Sequence, residues 1–284
     1  MFEGDAGLHI GTSSWSERDW VGPFYPPRTP SNEFIAHYST VYDIVEIDAT
    51  YYAMPSDIHT NAWRRRTPET FTFAAKTPKI ITHEKILEDR AIADFRLFVD
   101  TMQDLGPRLG PLILQFPYFS KAKFPGVEPF LERLDRFLAA APPEVRYAVE
   151  VRNPDWVGPL LQEVCARHRT AVIWTERPKM PHPAEWVERL GGPSTDFVYI
   201  RWLGDHHAIE RITKSWDKTV VDQRDAIDAW VPIIKELRVR GVDVYGFFNN
   251  HFAGHAPDSI ELFRELYAGV KRGRPPSLEQ GELF

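Results

Sequence analysis

Glu150 and Arg152 close the apolar run Tyr147-Ala148-Val149-Glu150-Val151-Arg152. Side chains alternate along a strand, so this acid and this base project from one face. The same ending recurs at Val45-Glu46-Ile47-Asp48, Phe73-Ala74-Ala75-Lys76, Val198-Tyr199-Ile200-Arg201 and Phe247-Phe248-Asn249-Asn250. Ionisable groups on a buried strand are costly unless they pair or do chemistry. Five apolar runs that each finish in a polar group predict one polar site at one end of a parallel sheet.

Glu46, Lys76 and Glu150 are the candidate catalytic residues, and three chemistries fit them and their neighbours. Carboxylates with histidine could hold a divalent metal that activates water, with Glu46, Asp48 and Glu150 as candidate ligands. Lys76, Arg152 and Arg201 could clamp a phosphate or carboxylate, arginine in bidentate fashion. A pair of carboxylates could cleave a glycosidic bond if they lay within roughly 5–10 Å. That option ranks last, because Glu46 and Glu150 come from strands well separated around a ring. His83, Gln115 and Asn249 would orient substrate, and Trp15, Tyr52 and Trp156 would wall the pocket. The competing reading is structural: Glu46 with Lys76, and Glu150 with Arg152 or Arg201, would form an ionic plug.

Other tempting residues carry less. His206-His207 is expected in an exposed loop, since sequence neighbours rarely face one way. His251 and His255 lie four apart, but no glutamate completes a zinc-protease pattern. Cys165 sits inside an amphipathic stretch and is expected to pack. Gly191-Gly192 precedes Pro193, with no helix start behind it to cradle an anion.

The elements that must position these groups alternate. Apolar runs fall at residues 8–12, 44–47, 71–75, 112–116, 147–152, 171–174, 197–200 and 242–248. Helical patterns lie between them, over 34–38, 58–66, 91–105, 127–140, 157–168, 226–240 and 259–267, with Asp57 as a cap and Gly241 as a left-handed stop. The sixth unit is irregular: residues 177–193 predict a long loop with a short helix. Eight strand–helix units with strands apolar on both faces predict an α/β fold, a TIM-like (β/α)8 barrel of parallel strands with outer helices. Residues 1–271 are expected to form one barrel domain and 272–284 a flexible tail, opened by Gly273, Pro275 and Pro276. In such barrels catalytic groups sit where strands end and loops begin.

Composition sets bounds on partners. Lys and Arg number 34 against 40 Asp and Glu, a net charge of −6. That argues against sequence-independent wrapping of nucleic acid, which needs an excess of cations. The single cysteine excludes an internal disulfide and fits a reducing compartment. No signal-peptide pattern or membrane-length apolar run is expected, so the expected location is the cytoplasm. Nine tryptophans serve core packing or a pocket lined with flat rings.

Taken in order, Gly11-Thr12-Ser13-Ser14-Trp15, Phe24-Tyr25-Pro26, Val45-Glu46-Ile47 with Tyr51-Tyr52, Ala75-Lys76 to His83, Leu114-Gln115-Phe116-Pro117, Glu150-Val151-Arg152 to Trp156, Tyr199-Ile200-Arg201 and Phe248-Asn249-Asn250 resemble the YecE-like TIM-barrel family of unknown function. The resemblance spans about nine-tenths of the chain. It implies a TIM-like barrel and supplies no activity. It also implies that Glu46, Lys76, His83, Gln115, Glu150, Arg152, Arg201 and Asn249 stand at the family's motif positions. Two departures matter: Asp48 replaces the family's usual Asn, and Trp202-Leu203-Gly204 lacks the family's His after the strand-7 Arg.

The sequence Gln280-Gly281-Glu282-Leu283-Phe284 resembles the short Gln-x-x-Leu-Phe peptide by which bacterial replication and repair proteins dock on the DNA sliding clamp. Gln280 would hydrogen-bond while Leu283 and Phe284 anchor in a pocket. The alternative is that Leu283 and Phe284 fold back on the barrel.

The expected function is therefore an enzyme, a hydrolase acting on a phosphate- or sugar-containing substrate, nucleic-acid-derived if the clamp reading holds. A divalent metal is an open cofactor. Two alternatives stand: a non-catalytic adaptor module in DNA metabolism, and a metal-dependent sugar isomerase-like enzyme.

Overall fold

The structure is a computed structural model and describes residues 5–270. Eight parallel strands form the centre: β1 Leu8–Thr12, β2 Ile44–Ile47, β3 Thr72–Lys76, β4 Leu109–Gln115, β5 Tyr147–Glu150, β6 Thr170–Glu176, β7 Phe197–Trp202 and β8 Asp243–Phe248. Around the sheet they run β1-β8-β7-β6-β5-β4-β3-β2, which is the ring order of a TIM barrel.

β1 and β2 stand at the two ends of that order, and their approach is tight. A Cβ at Gly11 would lie 2.2 Å from the carbonyl oxygen of Ile44, so only glycine lets β1 sit here. The Tyr38 hydroxyl stitches this seam. It accepts from the Thr12 amide at 2.9 Å and donates to the Ile44 carbonyl at 3.1 Å. Tyr38 belongs to the first outer helix, α1 Phe34–Val41.

Outer helices follow each strand in turn: α2 Ala49–Tyr52 and α3 Asp57–Arg65, α4 Ile92–Gln103, α5 Glu128–Ala139, α6 Pro159–Arg167, α7 Pro183–Leu190, α8 His206–Ile212 and α9 Arg224–Val239, then α10 Asn250–Ala253 and α11 Ala256–Tyr267. Gly241 takes φ +75° just beyond α9, the left-handed stop expected there. Two expectations shift. Asp57 lies inside α3, and the cap is Ser56, whose amide donates to His59 Nδ1 at 3.3 Å. His206 and His207 open α8 instead of lying in a loop, because Asp205 Oδ1 accepts from the Ala208 amide at 3.0 Å and starts the helix.

Strand alternation divides the core in two. Ile44, Ala74, Ile113, Ala148, Ile173, Phe197, Tyr199 and Phe247 fill the barrel interior. The intervening residues, such as Val45, Phe73, Val149 and Trp174, pack against the helices. Glu46, Lys76, Gln115, Glu150 and Arg201 are in phase with the interior set. Every one points inward at the carboxyl end of its strand. Cys165 is buried in α6, as packing requires, and burial pushes its thiol up.

Candidate active site at the barrel mouth

The floor of the mouth is one buried ionic network. Arg201 Nη2 donates to Glu46 Oε1 at 2.7 Å, and Nη1 donates to Glu150 Oε2 at 2.5 Å. Tyr199, two residues earlier on β7, donates its hydroxyl to Glu46 Oε2 at 2.7 Å. Arg152 Nε stands 2.5 Å from Glu150 Oε1. Burial alone would pull the Arg201 guanidinium down, but Glu46 and then Glu150 hold it above the ordinary arginine range. Burial, followed by the Glu46 charge, pushes the Tyr199 hydroxyl up, so it remains a donor.

This geometry corrects three expectations. Glu46 pairs with Arg201 and Tyr199, while Lys76 pairs with Asp48. Glu46 and Glu150 are brought together despite their separation around the ring, because one long arginine from a third strand reaches both. Neither carboxylate is exposed at all. In this geometry both carboxylates hold Arg201, and Glu150 also holds Arg152. The candidate metal ligands Glu46, Asp48 and Glu150 are each engaged by a cation, and among the described residues no group of three or more His, Cys, Asp or Glu is arranged to hold a metal ion.

Above this floor lie groups that solvent reaches. On the β2–β3 side, Lys76 pairs with Asp48 and its ammonium lies 5.7 Å from the Tyr51 ring centre. Tyr51 meets His83 edge-to-face at 5.1 Å. His83 stands in a π-helical turn, Ile80–Glu84, and its Nδ1 lies 2.8 Å from Thr82 Oγ1. Burial and then the Lys76 charge depress its imidazole below the ordinary value, so it is neutral near pH 7.

On the β4–β6 side a cleft of about 660 Å³ is lined by Gln115, Tyr118, Arg152, Asp155, Arg177 and Lys179, among others. Arg177 was missed from sequence. It follows β6 directly, is partly buried, and has no acid within ion-pair distance among the described residues. Burial depresses its guanidinium, opposed by the more distant Glu150. The Nε2 of Gln115 donates to the Phe116 carbonyl at 2.7 Å.

On the β7–β8 side, His206 and His251 stack with ring centres 3.9 Å apart and planes within 3°. Gly204 makes this approach possible: it takes φ +64°, and a Cβ there would lie 2.4 Å from the His251 carbonyl oxygen. His251 Nδ1 lies 2.7 Å from Asn249 Oδ1, and Nε2 lies 3.1 Å from Glu210. Coverage of the His206 ring, then His251 and Arg177, depresses its imidazole. The pairing of His251 with His255 does not form. His255 is buried beside Trp20 and Asp258. Asn249 accepts from the His251 amide at 2.9 Å, so its carbonyl caps α10 and only its amide remains for a ligand.

Three aromatic expectations change. Trp15 packs on Trp63 of α3 and on the outward-facing Phe73, outside the barrel. Trp156 is buried against Phe119 and Phe130 under the β5 loop. Tyr52 points to solvent, 69% exposed, and it is Tyr51 that meets His83 and Lys76. Gln280, Leu283 and Phe284 lie outside the described residues.

With this mouth and ring in view, comparison with known proteins identifies the lineage. The profile of the Protein of unknown function DUF72 family matches residues 9–280. The chain belongs to the DUF72 family. It is 25% identical over 288 residues to UPF0759 protein YunF of Bacillus subtilis, covering 93% of this chain and 97% of that one. It is 32% identical over 152 residues to UPF0759 protein YecE of Escherichia coli, about half of each chain. A crystal structure of a DUF72 protein from Thermotoga maritima superposes with a TM-score of 0.71 at 26% identity, covering 92% of this chain and 99% of that chain. A xylose isomerase-like TIM barrel from Mycobacterium smegmatis, at 12% identity and a TM-score of 0.50, shares the fold. No helix among the described residues is long and apolar enough to cross a membrane.

Proposed function

We propose that this DUF72 barrel is a hydrolase of phosphate-bearing substrates, held at the mouth by Arg177 and Arg152. The pairing of the inward-facing charges at the strand ends supports this reading, and Glu176, outward-facing at the end of β6, is taken by the Trp230 indole. Glu46 and Glu150 are matched by Arg201 and Arg152, and Asp48 is matched by Lys76. Those six ionised groups cancel. Arg177 is left over, partly buried and without an acid partner among the described residues, and this single observation carries the proposal. A desolvated guanidinium lining an open cleft is a ready partner for phosphate oxygens.

His83 is the general base of this reading. Its neutral imidazole stands on the β2–β3 side of the mouth, outside the lining of the β4–β6 cleft, so catalysis requires the phosphoryl group to extend from Arg177 toward Lys76, where His83 takes a proton from the water that attacks phosphorus. The ester P–O bond breaks, and the proton passes to the leaving oxygen. Arg177 and Arg152 stabilise the charge that develops on the phosphoryl oxygens. The floor keeps Arg152 in place.

Calorimetric titration with inorganic phosphate, paired with phosphate release from a panel of phosphate esters, tests the proposal. Binding and turnover in the native protein, both lost in Arg177→Ala and partly kept in Arg177→Lys, support it. Equal phosphate affinity in native protein and Arg177→Ala contradicts it.

A separable part of the proposal is recruitment. The peptide Gln280-Gly281-Glu282-Leu283-Phe284 fits docking on a bacterial sliding clamp, in a cytoplasmic setting consistent with the lone buried cysteine. A tether would raise local concentration at DNA without a basic barrel surface.

A further inference from the structure

The cleft that holds Arg177 also has an apolar side. Tyr118, in the loop after β4, lines it with 67% of its surface exposed. Among the described residues Tyr118 has no ring neighbour, although Phe119 beside it is buried in an aromatic cluster. An exposed aromatic at the edge of a cleft with convergent polar groups offers a ligand a flat apolar surface. Pro117, Pro178 and Met180 add to the apolar lining of the same cleft.

The polar lining narrows the ligand further. Three cations, Arg152, Arg177 and Lys179, face one carboxylate, Asp155. A sugar rich in hydroxyls needs many acceptors. Here the lining side chains that can accept are Asp155, the Gln115 carbonyl and the Tyr118 hydroxyl. The cleft thus suits an anion that also carries a flat ring system and few hydroxyls. Its volume of about 660 Å³ accommodates one small ligand of that kind.

Building on the phosphate reading above, we infer that this cleft takes an aromatic phosphate of the nucleotide class, its phosphate on Arg177 and its base stacked on Tyr118. Stacking of a base on an aromatic side chain tolerates many bases, because every base has a π-face. The inferred ligand therefore shows class preference more than base preference.

The test compares three probes on the full chain by calorimetry: inorganic phosphate, ribose 5-phosphate and adenosine 5′-monophosphate. The inference expects adenosine 5′-monophosphate to bind at least about tenfold tighter than ribose 5-phosphate. Tyr118→Ala should erase that preference, and Tyr118→Phe should keep it. Because Tyr118 is exposed, neither variant should disturb folding, which the thermal midpoint verifies. If phosphate and ribose 5-phosphate bind through Arg177 but the nucleotide binds no tighter, the aromatic inference is overturned and the phosphate reading stands. A nucleotide preference that survives in Tyr118→Ala also overturns it. If no probe binds, both readings fall.

Discussion

Arg201 and Glu150 meet across 2.5 Å inside the barrel, with neither side chain more than 1% exposed. The same guanidinium also holds Glu46, so one cation bridges two buried carboxylates from opposite sides of its own strand, and Arg152 supplies the second positive charge at Glu150. Removing one partner of such a pair leaves charge uncompensated in a poorly solvated place. Arg201→Met should therefore destabilise the fold by about 3–5 kcal/mol, measured by urea denaturation. Tyr199→Phe should cost less, about 1.5–3 kcal/mol, because it deletes a single hydrogen bond to a carboxylate. A loss below about 1 kcal/mol for Arg201→Met, no more than an exposed ion pair contributes, would show that the network is not a structural floor.

The seam of the ring should depend on Tyr38. Its hydroxyl joins the Thr12 amide and the Ile44 carbonyl between two strands that stand at the ends of the sheet order. Tyr38→Phe leaves both groups buried without that partner. The expected cost is about 1–3 kcal/mol, with hydrogen exchange fastest at Thr12. Unchanged protection of the Thr12 amide would contradict this role.

Acid should act through the imidazoles of the mouth. His83 is depressed below its ordinary value of 6.5, by burial first and Lys76 second. Between the folded value and 6.5 the unfolded chain binds more protons, so stability declines as pH falls through that window and is fully present above it. NMR titration should place the His83 midpoint below 6.5. Phosphate release should fade on the acid side of that midpoint, where the base is protonated. A His83 midpoint above 6.5 would remove it as the neutral base.

Much of this architecture is legible in the chain. The period-two alternation of Ala148-Val149-Glu150 or Tyr199-Ile200-Arg201 states which side chains enter the barrel, and that phase holds at Glu46, Lys76, Gln115, Glu150 and Arg201. The partners are not legible. Whether Glu46 meets Lys76 or Arg201 depends on how far each side chain reaches across the ring, which sequence spacing does not encode. Loop groups were harder still. Arg177 and Tyr118 gain meaning only from the cleft they share, and His206 only from His251, which the Gly204 turn brings alongside. Trp15 and Trp156 follow strand ends as mouth residues do, yet their ring size drew them into the outer core.

The His206–His251 stack should prove sensitive to Gly204. A methyl group there meets the His251 backbone and requires an unfavourable left-handed φ. Gly204→Ala should separate the two rings, cost about 1–2 kcal/mol, and return the His206 titration toward 6.5. An unshifted His206 titration in that variant would show that the stack is not what depresses it.

Recruitment can be examined independently of catalysis. Deleting residues 280–284 should abolish binding to a purified bacterial sliding clamp, measured by surface plasmon resonance, while leaving phosphate binding intact. Clamp binding that survives the deletion, or none in the full chain, would contradict the docking role of Gln280, Leu283 and Phe284.

The most direct measurement is a crystal structure of the protein soaked in phosphate. The expected result is an anion in the β4–β6 cleft, within hydrogen-bond distance of both Arg177 and Arg152 and above the Arg201 floor. A cleft that remains free of anion at saturating phosphate, with Arg177 turned to a protein carboxylate instead, would contradict the account.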